Sequence, residues 1–353
     1  MRLSRRTTLD GRTAIAIAAG PLSLSIETRP TLITLALLLL AAALAVVAMT
    51  IGRIPLATGD VLAIIFGQGP GGSVEQVVLN VRLPRMLTGL FVGAALGASG
   101  AVFQSISRNA LGSPDIIGFT TGSATGALAQ IVVFGGSGLL VAASAMGGGV
   151  ITALVVYTLS VKGGSTSSYR LVLIGIGVGA VLTALNGLML VKGNLDDAIA
   201  ANQWMAGSLN ARTWIHAWPV TIGTLTILPI LALLARPLAL MEMGDDVARQ
   251  LGVNVELVRV SAMILAVLLA SLATGSAGPV AFVALAAPQL VRRLIGHGQL
   301  AIIGSAAMGA LLLVLADLVS QLAPLGIVVP IGRMTGLVGG LYLVWLLTRT
   351  KSL

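Results

Sequence analysis

The chain contains no cysteine. Disulfides, thiolate nucleophiles and sulfur-ligated metals are thereby excluded. Histidine is scarce too: only His216 and His297 occur, far apart in sequence. No histidine-built metal site is expected. Charge is the third shortage. Only 9% of the 353 residues are Asp, Glu, Lys or Arg, against 56% hydrophobic residues, whereas soluble domains carry roughly a quarter charged residues. A water-soluble fold of this size could not cover its surface, and the mean hydropathy of +1.01 makes lipid the solvent for most of the chain.

What charge there is leans basic, with a net +9. The basic residues sit singly or in pairs between apolar runs and form no basic face. That pattern fits membrane topology and argues against a nucleic-acid partner. No G-x-x-x-x-G-K-[ST] phosphate loop is present, so the chain does not hydrolyse ATP by that route. No set of residues suggests catalysis. Paired intramembrane charges, the mark of ion-coupled transport, are missing as well. Asp317 stands nearly alone. It is expected to tie backbone near a break at Pro324, with a proton relay as the alternative.

Residues 1–30 form a polar, arginine-containing segment. It reads as a cytoplasmic tail of disordered character, because Ala14–Ala19 is too short for the apolar core of an export signal. Residues 31–353 read as one transmembrane domain. A crossing needs roughly 20 apolar residues, and about ten helical segments are expected on that basis: 31–50, 84–106, 115–134, 139–161, 170–191, 214–234, 260–277, 279–290, 300–322 and 330–347. The eighth is too short to cross unless protein or water covers its ends. With the amino terminus inside, the outer segments carry Arg53, Arg82, Arg85, Lys192, Arg212 and Arg333, and the other fifteen of the 21 basic residues are cytoplasmic. The positive-inside rule favours that orientation, with both termini in the cytoplasm.

Glycine is abundant, at 44 residues. Small residues four apart let membrane helices approach closely. Gly93/Gly97, Gly118/Gly122/Gly126, Gly175/Gly179 and Gly336/Gly340 have this spacing, which suits packing within one bundle or at a subunit interface.

The longest charged cytoplasmic segment runs from Arg236 to Arg259. Gly244 precedes Asp245 and Asp246, whose carboxylates suit a helix start. Val247, Ala248 and Leu251 give an apolar edge, and Gly252 ends the helix. A short projecting helix of this kind suits docking into a groove on a soluble partner; an ordinary solvated loop is the alternative.

The segment from Met243 to Val253, MGDDVARQLGV, resembles the coupling loop of the iron-siderophore and vitamin B12 importer permeases, which belong to the binding-protein-dependent ABC class. Four further segments match in the same order: RLPR at 82–85 with GAALGASGAVFQ at 93–104, RNALGSPDIIG at 108–118, WMAGSL at 204–209, and AGPVAFVALAAPQLVRR at 277–293. Within that family, SPDIIGF, AGSLN and EMGDD look most like the ferric-enterobactin branch.

The resemblance implies an all-α, ten-helix type II importer permease in the cytoplasmic membrane. It would pair with a second, homologous permease subunit, with two ATPase subunits below and a substrate-binding protein above. ATP and Mg would be used by the ATPase, and this chain would bind no cofactor. The cargo would be an iron-siderophore chelate, with a catecholate such as enterobactin ahead of hydroxamates, haem and cobalamin. Gly244, Asp245, Asp246, Ala248, Leu251 and Gly252 would fit the ATPase cleft, and reversing both aspartates to lysine should weaken that association. Arg82 and Arg85 would meet acidic residues of the binding protein, or else anchor lipid headgroups. Asn109, Leu111, Ser168 and Tyr169 match cytoplasmic gate positions, where capping and turn formation are the plainer roles. The fifth and tenth helices would line the path, with Asn186 and Arg333 as candidate pathway residues. The chain departs from the family pattern at Ala110 (usually proline), Gln289 (usually histidine), Gln321 (arginine in some relatives) and Arg333 (an otherwise apolar stretch). An ion-coupled transporter and a non-transporting scaffold remain the readings from other classes.

Overall fold

The computed structural model describes residues 2–7, 13–19, 22–52, 54–69, 71–162, 165–166, 168–296, 301–322 and 329–349. Pro324, Arg53 and His297 lie outside the described residues. The first segment is not helical. Strands β1 (Arg2–Thr7), β2 (Thr13–Ala19) and β3 (Leu22–Glu27) pair antiparallel in the order β1-β2-β3. The I-A-I-A alternation of β2 has the period-2 pattern of a strand.

Helices then follow: α1 (Thr28–Thr50), α2 (Thr58–Ile65), α3 (Gly72–Val77), α4 (Leu83–Ser107), α5 (Phe119–Leu128), α6 (Leu139–Ser160), α7 (Ser168–Lys192), α8 (Leu195–Met205), α9 (Trp214–Leu233), α10 (Ala235–Glu242), α11 (Asp245–Gln250), α12 (Val255–Ala277), α13 (Val283–Ile295), α14 (Ile302–Leu322) and α15 (Ile331–Arg349). A short antiparallel pair, β4 (Val161–Lys162) and β5 (Ser165–Thr166), joins α6 to α7. Asn side chains cap two of the helices. Asn194 accepts from the Asp197 N–H at 2.8 Å ahead of α8, and Asn254 accepts from the Leu257 N–H at 3.2 Å ahead of α12, each satisfying a backbone donor that the helix leaves unpaired.

Among the described residues, seven helical bodies are long and apolar enough to cross a membrane. They are α1, the run from α3 through α4, α6, α7, α9, α12 and α14. These seven do not by themselves confirm the expected count of about ten, and two of the remaining segments differ locally from the expectation. Around the expected third span, a 3-10 turn at Pro114–Ile117 and Gly118 at φ +71° break the helix, leaving α5 and a π turn at Ala129–Val133. The expected eighth span begins later than sequence suggests. Gly278 (φ +76°) and Phe282 (φ +65°) hold the chain in left-handed turns before α13 starts. At 13 residues, α13 is about 20 Å long and cannot cross alone; it is covered by α4 and α14. The second span is longer than expected. A π turn at Val78–Arg82 joins α3 to α4 in one continuous 36-residue helical body.

The bundle is built around α4, which packs against α14, α12, α13 and α9. Its glycines explain how closely. A Cβ on Gly93 would collide with the Gly309 carbonyl, one on Gly97 with the Ser305 carbonyl, and one on Gly100 with the Ala284 carbonyl. Gly122 and Gly126 sit against Thr152 and Ser144 of α6, and Gly118 faces Gly175 and Gly179 of α7. These motifs thus serve packing inside one chain. Gly340, in contrast, would meet nothing.

Two helices are only loosely held. In α7 just 17% of the apolar window is buried, and Leu173, Ile176, Val181, Leu188 and Val191 point outward. The described part of α15 likewise exposes Leu337, Val338 and Leu341.

Candidate functional site

The segment between α9 and α12 folds as a small knob. Gly244 has φ +125°, a backbone that L side chains rarely adopt, and it turns the chain sharply from α10 into α11. At the far end Gly252 (φ +83°) donates to the Arg249 carbonyl at 3.0 Å and Val253 donates to the Ala248 carbonyl at 3.0 Å. This pair of bonds is a Schellman ending. The expected helix, glycine turn and second piece are thus all present.

The apolar edge proves to be two different surfaces. Ala248 is fully buried against the bundle, whereas Met243, Val247 and Leu251 are 68%, 41% and 60% exposed. These three side chains form the outward apolar cap of the knob.

The two acidic residues are equally unlike. Asp246 is 91% exposed and pairs only with Arg249, one turn on, at 2.9 Å. Asp245 is gripped from two sides: Arg259 of α12 donates to Oδ2 at 2.7 Å, and Arg108, just past α4, donates to Oδ1. Burial pushes the Asp245 carboxyl up. The Arg259 hydrogen bond and the charges of Arg259, Arg108 and Arg249 outweigh it and hold the group below the usual carboxylate range. Glu256 joins this network, accepting from Arg259 at 3.2 Å and from the Tyr157 hydroxyl at 3.2 Å. Arg292 of α13 reaches Glu242 of α10 at 2.9 Å. Arginines from the ends of three helices therefore hold the knob.

The expected gate residues flank this assembly. The Asn109 side chain accepts from the Leu111 N–H at 2.9 Å, a local turn that shapes residues 109–111. Leu111 is exposed, as is Tyr169 in the first turn of α7; the Ser168 side chain lies outside the described residues. Two of the departures from the family pattern meet at this loop. Gln289, almost wholly buried on α13, donates to the Ala110 carbonyl at 2.7 Å.

At the opposite membrane face the expectation of an isolated Asp317 is wrong. Arg85 holds it with two parallel bonds, Nη2–Oδ1 at 2.7 Å and Nε–Oδ2 at 3.2 Å, and Gln321 donates to Oδ2 at 2.7 Å. Arg82 is engaged too, donating to the backbone carbonyls of Met49 and Ile54. Arg82, Arg85 and Gln321 line a cavity of about 330 Å³ with apolar walls from α1, α3 and α4.

The two pathway candidates separate. Asn186 is buried against α5, its Nδ2 3.5 Å from the Thr121 carbonyl, and so does not lie on the exposed face of α7. Arg333, in the first turn of α15, is exposed and donates to the Asn202 side chain of α8 at 3.0 Å. Sequence reasoning missed Arg108, Arg259, Gln289 and the Arg292–Glu242 pair as parts of the site. The arginines were visible only as topology signals and Gln289 only as a departure from the family pattern; the partners that place them here lie many residues away.

Comparison with known proteins agrees with this picture. The FecCD transport family model matches residues 37–349. The chain is 45% identical over 296 residues to the ferric enterobactin transport system permease protein FepG of Escherichia coli (strain K12), covering 84% of this chain and 89% of the relative. It is 34% identical to a probable siderophore transport system permease protein, YfhA, of Bacillus subtilis (strain 168), covering 92% and 97%. Among solved structures, an inward-facing conformation of a metal-chelate type ABC transporter superposes with a TM-score of 0.79 at 29% identity, covering 91% of this chain and 99% of that one.

Proposed function

We propose, from the premise that this chain belongs to the FecCD transport family, that it is one permease subunit of a binding-protein-dependent ABC importer for an iron-siderophore chelate. The chain is a transporter subunit and not an enzyme. The single observation that carries the proposal is the 45% identity to a ferric enterobactin permease across 84% of the chain. A ferric catecholate, enterobactin first, is the cargo it favours.

In this reading the knob at Gly244–Gly252 docks on a partner ATPase, which binds ATP and Mg. Met243, Val247 and Leu251 supply the apolar contact, and Asp245 fixes the shape of the knob. The loose faces of α7 and α15 meet a homologous second permease and line the path between the two subunits. A binding protein delivers the chelate at the outer face, near Arg82 and Arg85. Because both guanidiniums already hold partners within the chain, they offer residual positive potential rather than free ion-pairing groups. Such a field steers encounter more than it adds affinity. Arg333 presents a cation near the outer end of α15, where an anionic chelate would enter. ATP-driven approach of the ATPases alternates the path between its outward and inward states. An ion-coupled mechanism is disfavoured, since Asp317 is held within the chain by Arg85 rather than standing as a free intramembrane carboxylate.

The test is radio-iron uptake in cells lacking only this gene, with ferric enterobactin, a ferric hydroxamate and cobalamin assayed in parallel. Loss of enterobactin uptake alone, restored by the gene, is the expected result. Normal uptake of enterobactin with loss of another substrate would reassign the cargo within the family.

A further inference from the structure

Arg108 is one of three non-glycine residues with positive φ among the described residues, at +50°. For an L residue this left-handed backbone is disfavoured, and glycine or asparagine is the ordinary choice there. An arginine at such a position is a lead to a role for its side chain. The side chain runs under the knob. Nε donates to the Met241 carbonyl at the end of α10 at 3.0 Å, and the guanidinium also binds Asp245 at the start of α11. Both halves of the knob are thus tied to one residue.

What lies next to Arg108 gives the tie its meaning. Residues 109–111 follow directly, and the Asn109 N–H donates back to Gln104 of α4. Beyond them, Gln289 of α13 holds the Ala110 carbonyl. The loop after α4 is therefore suspended between the knob, through Arg108, and α13, through Gln289. Arg259 also grips Asp245, but it sits in α12 and anchors the knob to that helix; Arg108 is contiguous in chain with the exposed loop.

We propose that Arg108 is the positioning residue that transmits displacement of the α10–α11 knob to the 109–111 loop, so that movement imposed on the knob from the cytoplasm opens or closes the inner end of the path. This rests on the importer reading above. Arg108 touches neither chelate nor nucleotide in this account.

Arg108→Gly is the informative variant, because glycine removes the tie while relieving the backbone. The assembled importer, with its second permease, ATPase and binding protein, is reconstituted in proteoliposomes. Radio-iron ferric enterobactin is the probe, and iron delivered per ATP hydrolysed is the readout. The expected result is a drop in that ratio on the order of tenfold. ATPase stoichiometry should stay at the wild-type value, and Arg108→Lys should recover part of the ratio. An unchanged ratio in Arg108→Gly, a loss of bound ATPase in step with uptake, or Arg108→Lys no better than glycine would each overturn the proposal. A second readout separates this from an error in the cargo. The chain has no native cysteine, so Leu111→Cys can carry a sole fluorophore, attached before assembly. ATP should shift its emission in the Arg108 form and not in the Arg108→Gly form, whichever chelate is carried. A shift of the same size in both would sink the idea even if enterobactin proved to be the wrong substrate.

Discussion

Removing Asp317 tests the outer clasp most directly. The pair joins α4 to α14 with two parallel bonds, and the Asp317 side chain is only 2% exposed while Arg85 is 22% exposed. Breaking a buried pair by deleting one partner costs about 3–5 kcal/mol, chiefly because the surviving charge is stranded. Arg85 retains partial access to water, so Asp317→Leu belongs at the low end, about 3 kcal/mol. Arg85→Met strands the more deeply buried carboxylate with Gln321 as its remaining contact, and belongs nearer the upper end. The double variant Arg85→Met/Asp317→Leu removes both charges and replaces them with apolar volume. It should lie within about 1–2 kcal/mol of wild type, since apolar replacement of a buried pair is often neutral. Equilibrium unfolding of the purified chain in mixed micelles gives the three free-energy differences. A coupling energy of at least about 1.5 kcal/mol is expected from the cycle. Additive losses would refute the reasoning, because they would mean that the two residues act through other neighbours.

Two further outcomes follow from the knob. Replacing Met243, Val247 and Leu251 together by serine should reduce ATPase co-purification more than tenfold with little change in fold, since a buried apolar side chain contributes roughly 1.5–3 kcal/mol at a contact; retention at the wild-type level would remove the docking assignment. Asp246→Lys is the charge probe to pair with it, because lysine at 245 would face Arg108 and Arg259 and disrupt the knob itself, confounding docking with folding. Asp245 also carries an acid dependence. Its carboxyl is held below the unfolded value of about 3.9, so its contribution is fully present above that value and is lost as pH falls through the folded one. Thermal midpoints between neutral pH and pH ~3 should show an acid limb that Asp245→Asn flattens; identical limbs in both proteins would contradict the assignment.

The class of this protein was legible in the sequence because solvent preference is a bulk property. Scarce charge, long apolar runs and basic loops each report it independently. The knob was legible because its turns depend on glycine at 244 and 252 and on acidic residues at a helix start, all local signals. The Arg85–Asp317 pair was not, because it spans 232 positions and nothing near either residue names the other. The partners of Asp245 were hidden for the same reason. Its exposure depends on two arginines contributed by distant helices. Helix bounds were less legible where single residues override hydropathy: Gly118, Gly278 and Phe282 interrupt helices inside apolar stretches, and a π turn carries α3 into α4 through the polar RLPR segment.

The continuous helical body from Gly72 to Ser107 has one more implication. Its 36 residues make about 54 Å at 1.5 Å per residue, enough to overhang a hydrocarbon core of about 30 Å at both faces. Toward one membrane face it is clasped through Arg85, and immediately beyond its other end through Arg108, with carbonyl-to-glycine contacts locking it to α14 between them; in the orientation proposed above these are the outer and inner faces. Two ligands that bias one shared body are bound by reciprocity: whatever factor occupancy of the inner face imposes on affinity at the outer face, occupancy of the outer face returns to the inner. A protein bound above and an ATPase bound below would then sense each other through this helix alone, in equal measure, with no need for the transported molecule to carry the message.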